Sequence, residues 1–123
     1  MWSEKYNYYN IQSDQSYTQK VEIKLICNIL LNTNCFKQKD HQTFSNADNF
    51  PWLDMVLVET KDGNFASSDN EIKFISLIAI VCSKGQNTDQ TVYVNIFSKI
   101  AKTLNWKLYL ESDDNENENI EIH

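Results

Sequence analysis

Few residues in this sequence have side chains suited to covalent or metal chemistry. It contains two histidines, His41 and His123, and three cysteines. Cys35, Asp40 and His41 lie within seven positions of one another, but structural zinc sites use paired ligands at recurring spacings, which this segment lacks. We interpret His41 as a solvated loop histidine, and we predict no metal and no cofactor.

A cysteine–histidine pair is the remaining catalytic arrangement, because such partners meet in space rather than in sequence. Cys27 and Cys82 lie inside apolar runs, where a free cysteine behaves as a small hydrophobe. An enzyme would therefore have to use Cys35 or His41, and this is the least favoured hypothesis. We predict that the chain is not an enzyme.

Nucleotide and nucleic-acid binding are also disfavoured. A phosphate-binding loop needs several clustered glycines, whereas this chain has two, Gly63 and Gly85, far apart. Every basic residue is Lys, so the bidentate Arg contacts that read phosphate and guanine cannot form. The tyrosines of residues 6–9 could stack on single-stranded nucleic acid, but packing in a sheet explains them more simply.

Length and composition predict a single domain, residues 1–123, in the cytoplasm. Hydrophobic residues make up 41% of the chain, enough for a core, yet no apolar run approaches the roughly 20 residues of a membrane span. The first residues show no basic segment followed by an apolar one, so no secretory signal is expected. An odd number of irregularly spaced cysteines fits free thiols in a reducing compartment.

The acidic charge is concentrated at the C-terminal end. The net charge is −6, and the acidic segment 111–123 holds six acids and no lysine, so the other eleven acids balance the eleven lysines. This segment could be a solvated tail. Alternatively, Ile120 and Ile122 stand at strand spacing and favour an ordered edge strand. A third interpretation is an electrostatic arm or strand that attracts a basic partner.

The hydrophobic pattern predicts four strands and two helices. The first helix has candidate N-caps at Ser13, Asp14 and Ser16. The second has Thr88 or Asp89 as N-cap and ends at Asn105 in the left-handed conformation. The predicted strands are 6–11, 52–60, 72–83 and 106–110, and the predicted helices are 15–31 and 90–104.

Two segments raise further expectations. Strand 72–83 is apolar on both faces, as in a central strand, and it should pair with 52–60 as a hairpin with a long turn. The polar segment 32–51 is long for a simple connection. It should either contain a short strand near Phe36 or Phe44 or be a functional loop.

The order strand–helix–strand–strand–helix–strand indicates an α+β domain, most simply the ferredoxin-like βαββαβ arrangement. In that arrangement the first and third strands are central. The third strand suits this position, whereas Asn7 and Asn10 make the first strand unusually polar. The alternative is another α+β layout with both helices on one face of an antiparallel sheet.

The stretch FPWLDMVLVETKDGNFASSDNEIKFISLIAIVCSK, residues 50–84, combines a Pro-Trp start, an apolar strand, a DGN turn and a second apolar strand. In this stretch, and in its size and acidity, the chain resembles the small bacterial immunity proteins of polymorphic toxin systems. The resemblance implies a cytoplasmic inhibitor of one cognate, basic toxin domain. A nuclease fits, because nucleases need positive surfaces to hold phosphates.

We expect acids and exposed aromatic residues to contact such a partner. Trp52 could instead anchor the core. An alternative function is a ferredoxin-like regulatory or adaptor domain that binds a small ligand or dimerises through its sheet, and both monomer and dimer remain open. The candidate partner-binding residues are Asp48, Trp52, Asp62, Asp69, Glu71, Glu111, Asp113 and Asp114.

Overall fold

The structure, a computed structural model, describes residues 3–60, 72–84, 89–115 and 117–122. Within these ranges the chain forms two helices, α1 (Ile23–Asn32) and α2 (Gln90–Leu104), and nine strands. The strands are β1 (Tyr6–Gln12), β2 (Val21–Glu22), β3 (Phe36–Gln38), β4 (Thr43–Asn46), β5 (Leu53–Val58), β6 (Phe74–Ile75), β7 (Leu77–Ser83), β8 (Lys107–Ser112) and β9 (Glu118–Ile122).

The main sheet has the strand order β3-β4-β5-β7-β1-β8-β9, and its neighbouring strands pair antiparallel. The predicted α+β class, with two helices and an antiparallel sheet, is confirmed for the described residues. The four predicted strands correspond to β1, β5, β7 and β8 and lie together in the order β5-β7-β1-β8. Strands β3, β4 and β9 widen this group to a sheet of seven strands over the ranges the structure describes.

Strand β1 is central despite its two asparagines. Asn7 is buried against α2, and its Nδ2 donates to Oε1 of Gln90 at 2.8 Å. The hydroxyl of Tyr9 donates to the same oxygen at 3.2 Å. Asn10 points to the opposite face, as strand alternation requires. A hydrogen bond to the helix therefore offsets the cost of burying the polar side chain of Asn7.

The predicted start of the first helix is wrong, because the residues proposed as caps form a separate turn. The Asp14 carboxylate accepts hydrogen bonds from the backbone N–H of Ser16 at 2.9 Å and of Thr18 at 3.2 Å, and from the Thr18 hydroxyl. Tyr17 adopts a left-handed φ of 55°, which a helix cannot contain. The chain then pairs β2 with β6 in a small second sheet before α1 begins at Ile23.

The second helix is confirmed with its predicted bounds. The Asp89 carboxylate accepts from the backbone N–H of Thr91 at 2.9 Å, as an N-cap should. Asn105 ends the helix with φ 58° and ψ 38°. Asn is among the few residues that tolerate this left-handed conformation, so both ends of α2 are encoded locally.

Segment 32–51 contains strands at both predicted aromatic positions, since Phe36 begins β3 and Phe44 lies in β4. The expected hairpin is confirmed by the pairing of β5 with β7. Its turn, residues 61–71, lies outside the described residues. Segment 72–83 is interrupted at Ser76, whose Oγ accepts from Thr60 N–H at 2.8 Å and donates to the Thr60 carbonyl at 2.7 Å.

The acidic C-terminal segment is ordered as an edge strand where the structure describes it. β9 pairs antiparallel with β8, from Leu108 opposite Ile122 to Ser112 opposite Glu118. The connecting turn is held by Asp113, whose carboxylate accepts from the backbone N–H of Asn117 at 2.9 Å. The ordered edge strand is therefore confirmed for the described residues, and attraction of a basic partner by this strand stays a prediction.

Both helices pack on the same face of the main sheet. Ile26 and Leu30 of α1 share one hydrophobic cluster with Phe97 and Ile100 of α2 and with Ile11 of β1. We call this the covered face. No helix in the described ranges is both long enough and apolar enough to cross a membrane.

Candidate functional site: the open face of the sheet

The other side of the main sheet, which we call the open face, is covered by neither α1 nor α2. Strand register places its side chains in rows across the sheet. One row runs through Ser45, Asp54, Val81 and Tyr8. The next row consists of Thr43, Val56, Ala79, Asn10 and Tyr109.

The open face contains a concave cavity of about 620 Å³. Val56, Ala79 and Val81 from β5 and β7 supply apolar lining, and each is half-buried. Tyr8 and Asn10 of β1 also line the cavity. Cavities of roughly 300–1,000 Å³ with a mainly apolar lining and a few polar groups are typical of binding sites.

Tyr17 lines the cavity from outside the sheet. Its backbone is fixed by the Asp14 turn, since its N–H donates to the Asp14 carbonyl at 3.3 Å. The hydrogen bond from the Thr18 hydroxyl lowers the pKa of Asp14, so this carboxylate stays ionised to a lower pH than an ordinary Asp. A tyrosine with positive φ is uncommon and costs conformational energy. The strained residue of this turn is thus also a cavity residue.

Among the charged residues of the cavity lining, carboxylates outnumber ammonium groups. Asp54, Glu111 and Glu118 contribute three negative charges, and Lys39 contributes one positive charge. Lys39 Nζ lies 2.9 Å from Oδ1 of Asp54, so its charge is largely compensated within the cavity wall. The cavity therefore has an excess of negative charge and favours cationic groups.

An exposed aromatic pair lies on the open face, one row beyond Tyr8 and Val81. The rings of Tyr6 and Trp52 are 5.6 Å apart and tilted by 48°, and the two residues are 39% and 44% exposed. The Trp52 carbonyl accepts from the Tyr93 hydroxyl of α2 at 2.7 Å. The backbone of Trp52 is therefore tied to the covered face while its ring remains accessible, so its alternative role as a core anchor does not hold.

The predicted partner-binding residues that the structure describes occupy different positions relative to the cavity. Trp52 lies on the open face and Glu111 lines its cavity. Asp48 is highly exposed and pairs with Lys37 at 3.0 Å. Of these three, Glu111 alone lines the cavity, and the Lys37 partner of Asp48 is in register with Ser45 of the open face. The remaining candidates in the turn, Asp62, Asp69 and Glu71, lie outside the described residues.

The acids of the C-terminal segment have local structural partners. Hydrogen bonding by Asn117 lowers the pKa of Asp113, Asp114 forms an ion pair with Lys84, and Glu121 lies 3.5 Å from Lys107. Asp113 and Asp114 thus help to form the turn and its contacts. Their charges add to the acidity of this end of the molecule without being held on a free arm.

The residues considered for catalysis have other contacts. The His41 Nε2–H donates to the Ile72 carbonyl at 2.9 Å. The three cysteines are free, and burial raises the pKa of Cys82 to about 12, which disfavours a thiolate. Among the described residues, no group of three or more His, Cys, Asp or Glu side chains is placed to hold a metal ion.

The sequence prediction missed most of the cavity residues. Tyr8, Tyr17, Val56, Ala79 and Val81 line the cavity, and none of them was a candidate. A signal was present in β7, which is apolar on both faces. Because both helices of this fold lie on the covered face, the apolar side chains on the second face of β7 indicate a binding surface.

Comparisons with known protein families, curated proteins and solved structures found no match to this chain.

Proposed function

We propose that this chain is an immunity protein that acts in the cytoplasm, where it binds one cognate toxin domain and blocks its active site. The observation that carries the proposal is the open face, which combines a cavity lined by apolar and acidic residues with the exposed Tyr6–Trp52 pair. Aromatic residues on an accessible surface are typical anchors of protein interfaces.

The charge of this surface favours a basic partner. The cavity lining has more carboxylates than ammonium groups, and the adjacent β8–β9 turn adds Asp113 and Asp114. A positive surface, such as the phosphate-binding site of a nuclease, is attracted to such a patch and oriented by it. Covering that site would neutralise the toxin without any chemistry by the inhibitor.

We further propose that the middle of the sheet is a ferredoxin-like unit, with β3, β4 and β9 as additions to it. The order β5-β7-β1-β8 and the position of α1 and α2 on one face support this proposal. A four-stranded unit of this kind leaves one sheet face free of helices. The additional strands then enlarge that free face.

The proposal is tested by co-expressing the chain with the toxin domain encoded beside it and measuring growth and complex formation. Val81→Arg places a bulky cation in the cavity, where it should repel a basic partner. The matched control is Asn95→Arg, which adds the same residue to the exposed surface of α2. We expect Asn95→Arg to protect cells and Val81→Arg to fail, with both variants folded by circular dichroism. Equal protection by both folded variants would refute the open face as the toxin-binding surface.

A second candidate function is a regulatory or adaptor domain that binds a small ligand. The cavity volume of about 620 Å³ favours it, because that size suits a small molecule. A shift in melting temperature with a metabolite, abolished by Val81→Arg and unaffected by Asn95→Arg, would support this function. Unchanged melting temperatures across a metabolite panel would count against it.

A further inference from the structure

The cavity on the open face has the chemistry of a site for one long cationic side chain. Its apolar residues Val56, Ala79 and Val81 can contact the methylene groups of a Lys or Arg stem. Tyr8 and Tyr17 also line it, and the ring faces of tyrosines attract guanidinium and ammonium groups.

Besides the apolar residues and the tyrosines, the cavity lining contains carboxylates. Glu111 at the end of β8 and Glu118 at the start of β9 line the cavity together with Asp54. A carboxylate accepts charge-assisted hydrogen bonds from Arg, often as a two-point contact. The same carboxylates disfavour an anionic ligand, since Lys39 is engaged by Asp54 at 2.9 Å.

We propose that this cavity receives a Lys or Arg side chain from the basic partner protein, held between tyrosine rings and the glutamates of β8 and β9. The inference rests on the proposed function, because it assigns the partner's anchor residue to a place on the open face. A protein is favoured over a free cation because the exposed Tyr6–Trp52 pair lies one row from the cavity residues Tyr8 and Val81 on the same face, which gives a second contact area.

The test uses a probe that does not require the partner. Acetyl-arginine methylamide is titrated into the full chain while methyl NMR signals of Val56, Ala79 and Val81 are followed. Acetyl-citrulline methylamide has nearly the same shape without the charge. We expect the arginine probe to shift all three methyl signals and to bind at least about tenfold more tightly than the citrulline probe.

Substitutions of lining residues test whether the arginine probe binds in the cavity. Glu111→Gln/Glu118→Gln should weaken arginine binding about tenfold or more. The matched control, Glu4→Gln/Glu22→Gln, removes the same charge at exposed positions that do not line the cavity, and it should retain binding. Ala79→Leu, which fills the cavity without changing charge, should also abolish binding. Melting curves establish that each variant is folded.

The outcomes separate this inference from the proposed function. A toxin blocked through the open face, with no methyl shift by arginine or equal shifts by both probes, overturns the inference and leaves the proposed function standing. Arginine binding without neutralisation of any toxin overturns the proposed function and leaves the cation site. Spermidine binding far more tightly than arginine amide, and not displaced by the toxin, overturns the assignment to a partner's side chain.

Discussion

The two faces of the main sheet are built from the same strands and have different properties. On the covered face, Tyr9 and Ile11 of β1 are almost fully buried, and Tyr9 contacts Phe97 with ring centroids 5.4 Å apart. On the open face, Tyr8 and Asn10 from the same strand are half-buried around a cavity. Strand alternation places neighbouring residues on opposite faces, and the helices cover only one of these faces.

The difference shows which apolar residues the fold itself requires. The covered face gains its stability by removing large side chains from water, at about 25 cal/mol per Å² of apolar area. Val56, Ala79 and Val81 remain half-exposed on the open face, so they contribute less to folding. Their apolar character is more useful for contact with a partner, which would remove the remaining area from water.

The largest effect on stability is expected from Phe97→Ala. Phe97 is fully buried and contacts Tyr9 and Tyr93, so its loss should lower the free energy of unfolding by about 3–5 kcal/mol. Trp52→Ala removes a larger ring from the open face, but it should cost only about 1 kcal/mol, mainly from the Tyr6 contact. Urea denaturation measures the free energy of unfolding of both variants. Equal losses would contradict the distinction between the faces.

The next effect concerns the acidic C-terminal segment as an edge strand. Ile122 is half-buried and packs against the core, so Ile122→Ala should lower the free energy of unfolding by about 1–2 kcal/mol, roughly half the cost at a buried site. Glu118→Gln removes one negative charge from β9 and leaves the pairing of this strand unchanged.

Glu118→Gln should therefore change stability by less than about 0.5 kcal/mol, as expected for an exposed surface position. Chemical denaturation of the two variants distinguishes a strand from a charged arm. If Ile122→Ala has no effect on stability, the segment does not act as a structural strand.

A smaller effect is expected at the N-terminus of α2. Asp89 caps this helix by accepting from Thr91 N–H at 2.9 Å, so Asp89→Ala should cost about 1 kcal/mol. Asp89→Asn keeps an oxygen acceptor and should lose much less. Thermal melts of the two variants measure this difference in stability. Identical losses for Ala and Asn would show that the hydrogen bond is not what stabilises the helix end.

The smallest effect is a pH dependence from Asp113. Because the Asn117 hydrogen bond lowers the pKa of Asp113 in the folded chain, the unfolded chain binds this proton more readily. The resulting stability is present above the ordinary pKa of 3.8 and is lost as the pH falls through the lowered value.

Asp113→Asn should therefore flatten the decline of melting temperature in this acidic range and leave the alkaline range unchanged. Asp48→Asn is the control, because Asp48 is highly exposed. A decline in Asp113→Asn as steep as in the original chain would contradict the role of this carboxylate.

The sequence predicted those elements whose signals are local. Helix α2 has a 3.6-residue period with Asp89 and Asn105 at its ends, and these features suffice to place it. The start of α1 could not be placed, because Asp14 caps a turn as readily as a helix. The central position of β1 depends on Asn7 reaching Gln90, a contact across 83 positions that no local pattern contains.

For the candidate site, the sequence predicted the types of residues involved but not the position of the cavity. Acidic and aromatic residues were expected to form a surface, and Trp52 and Glu111 do lie on the open face. The cavity itself depends on strand register, which arises from tertiary pairing. It also depends on Tyr17, which is placed by the Asp14 turn in a segment whose sequence predicted the start of a helix. The apolar second face of β7 was visible in the sequence, but its meaning required knowing that both helices pack on the other side.

The most direct test of the open face as the partner surface is photo-crosslinking at paired positions. A benzoyl-phenylalanine is placed at Ser45, on the open face, or at Lys99, on the exposed side of α2, and each chain is illuminated with the co-purified toxin domain. We predict a covalent complex from position 45 and none from position 99. Crosslinking from position 99 alone would contradict the account and place the partner on the helical side.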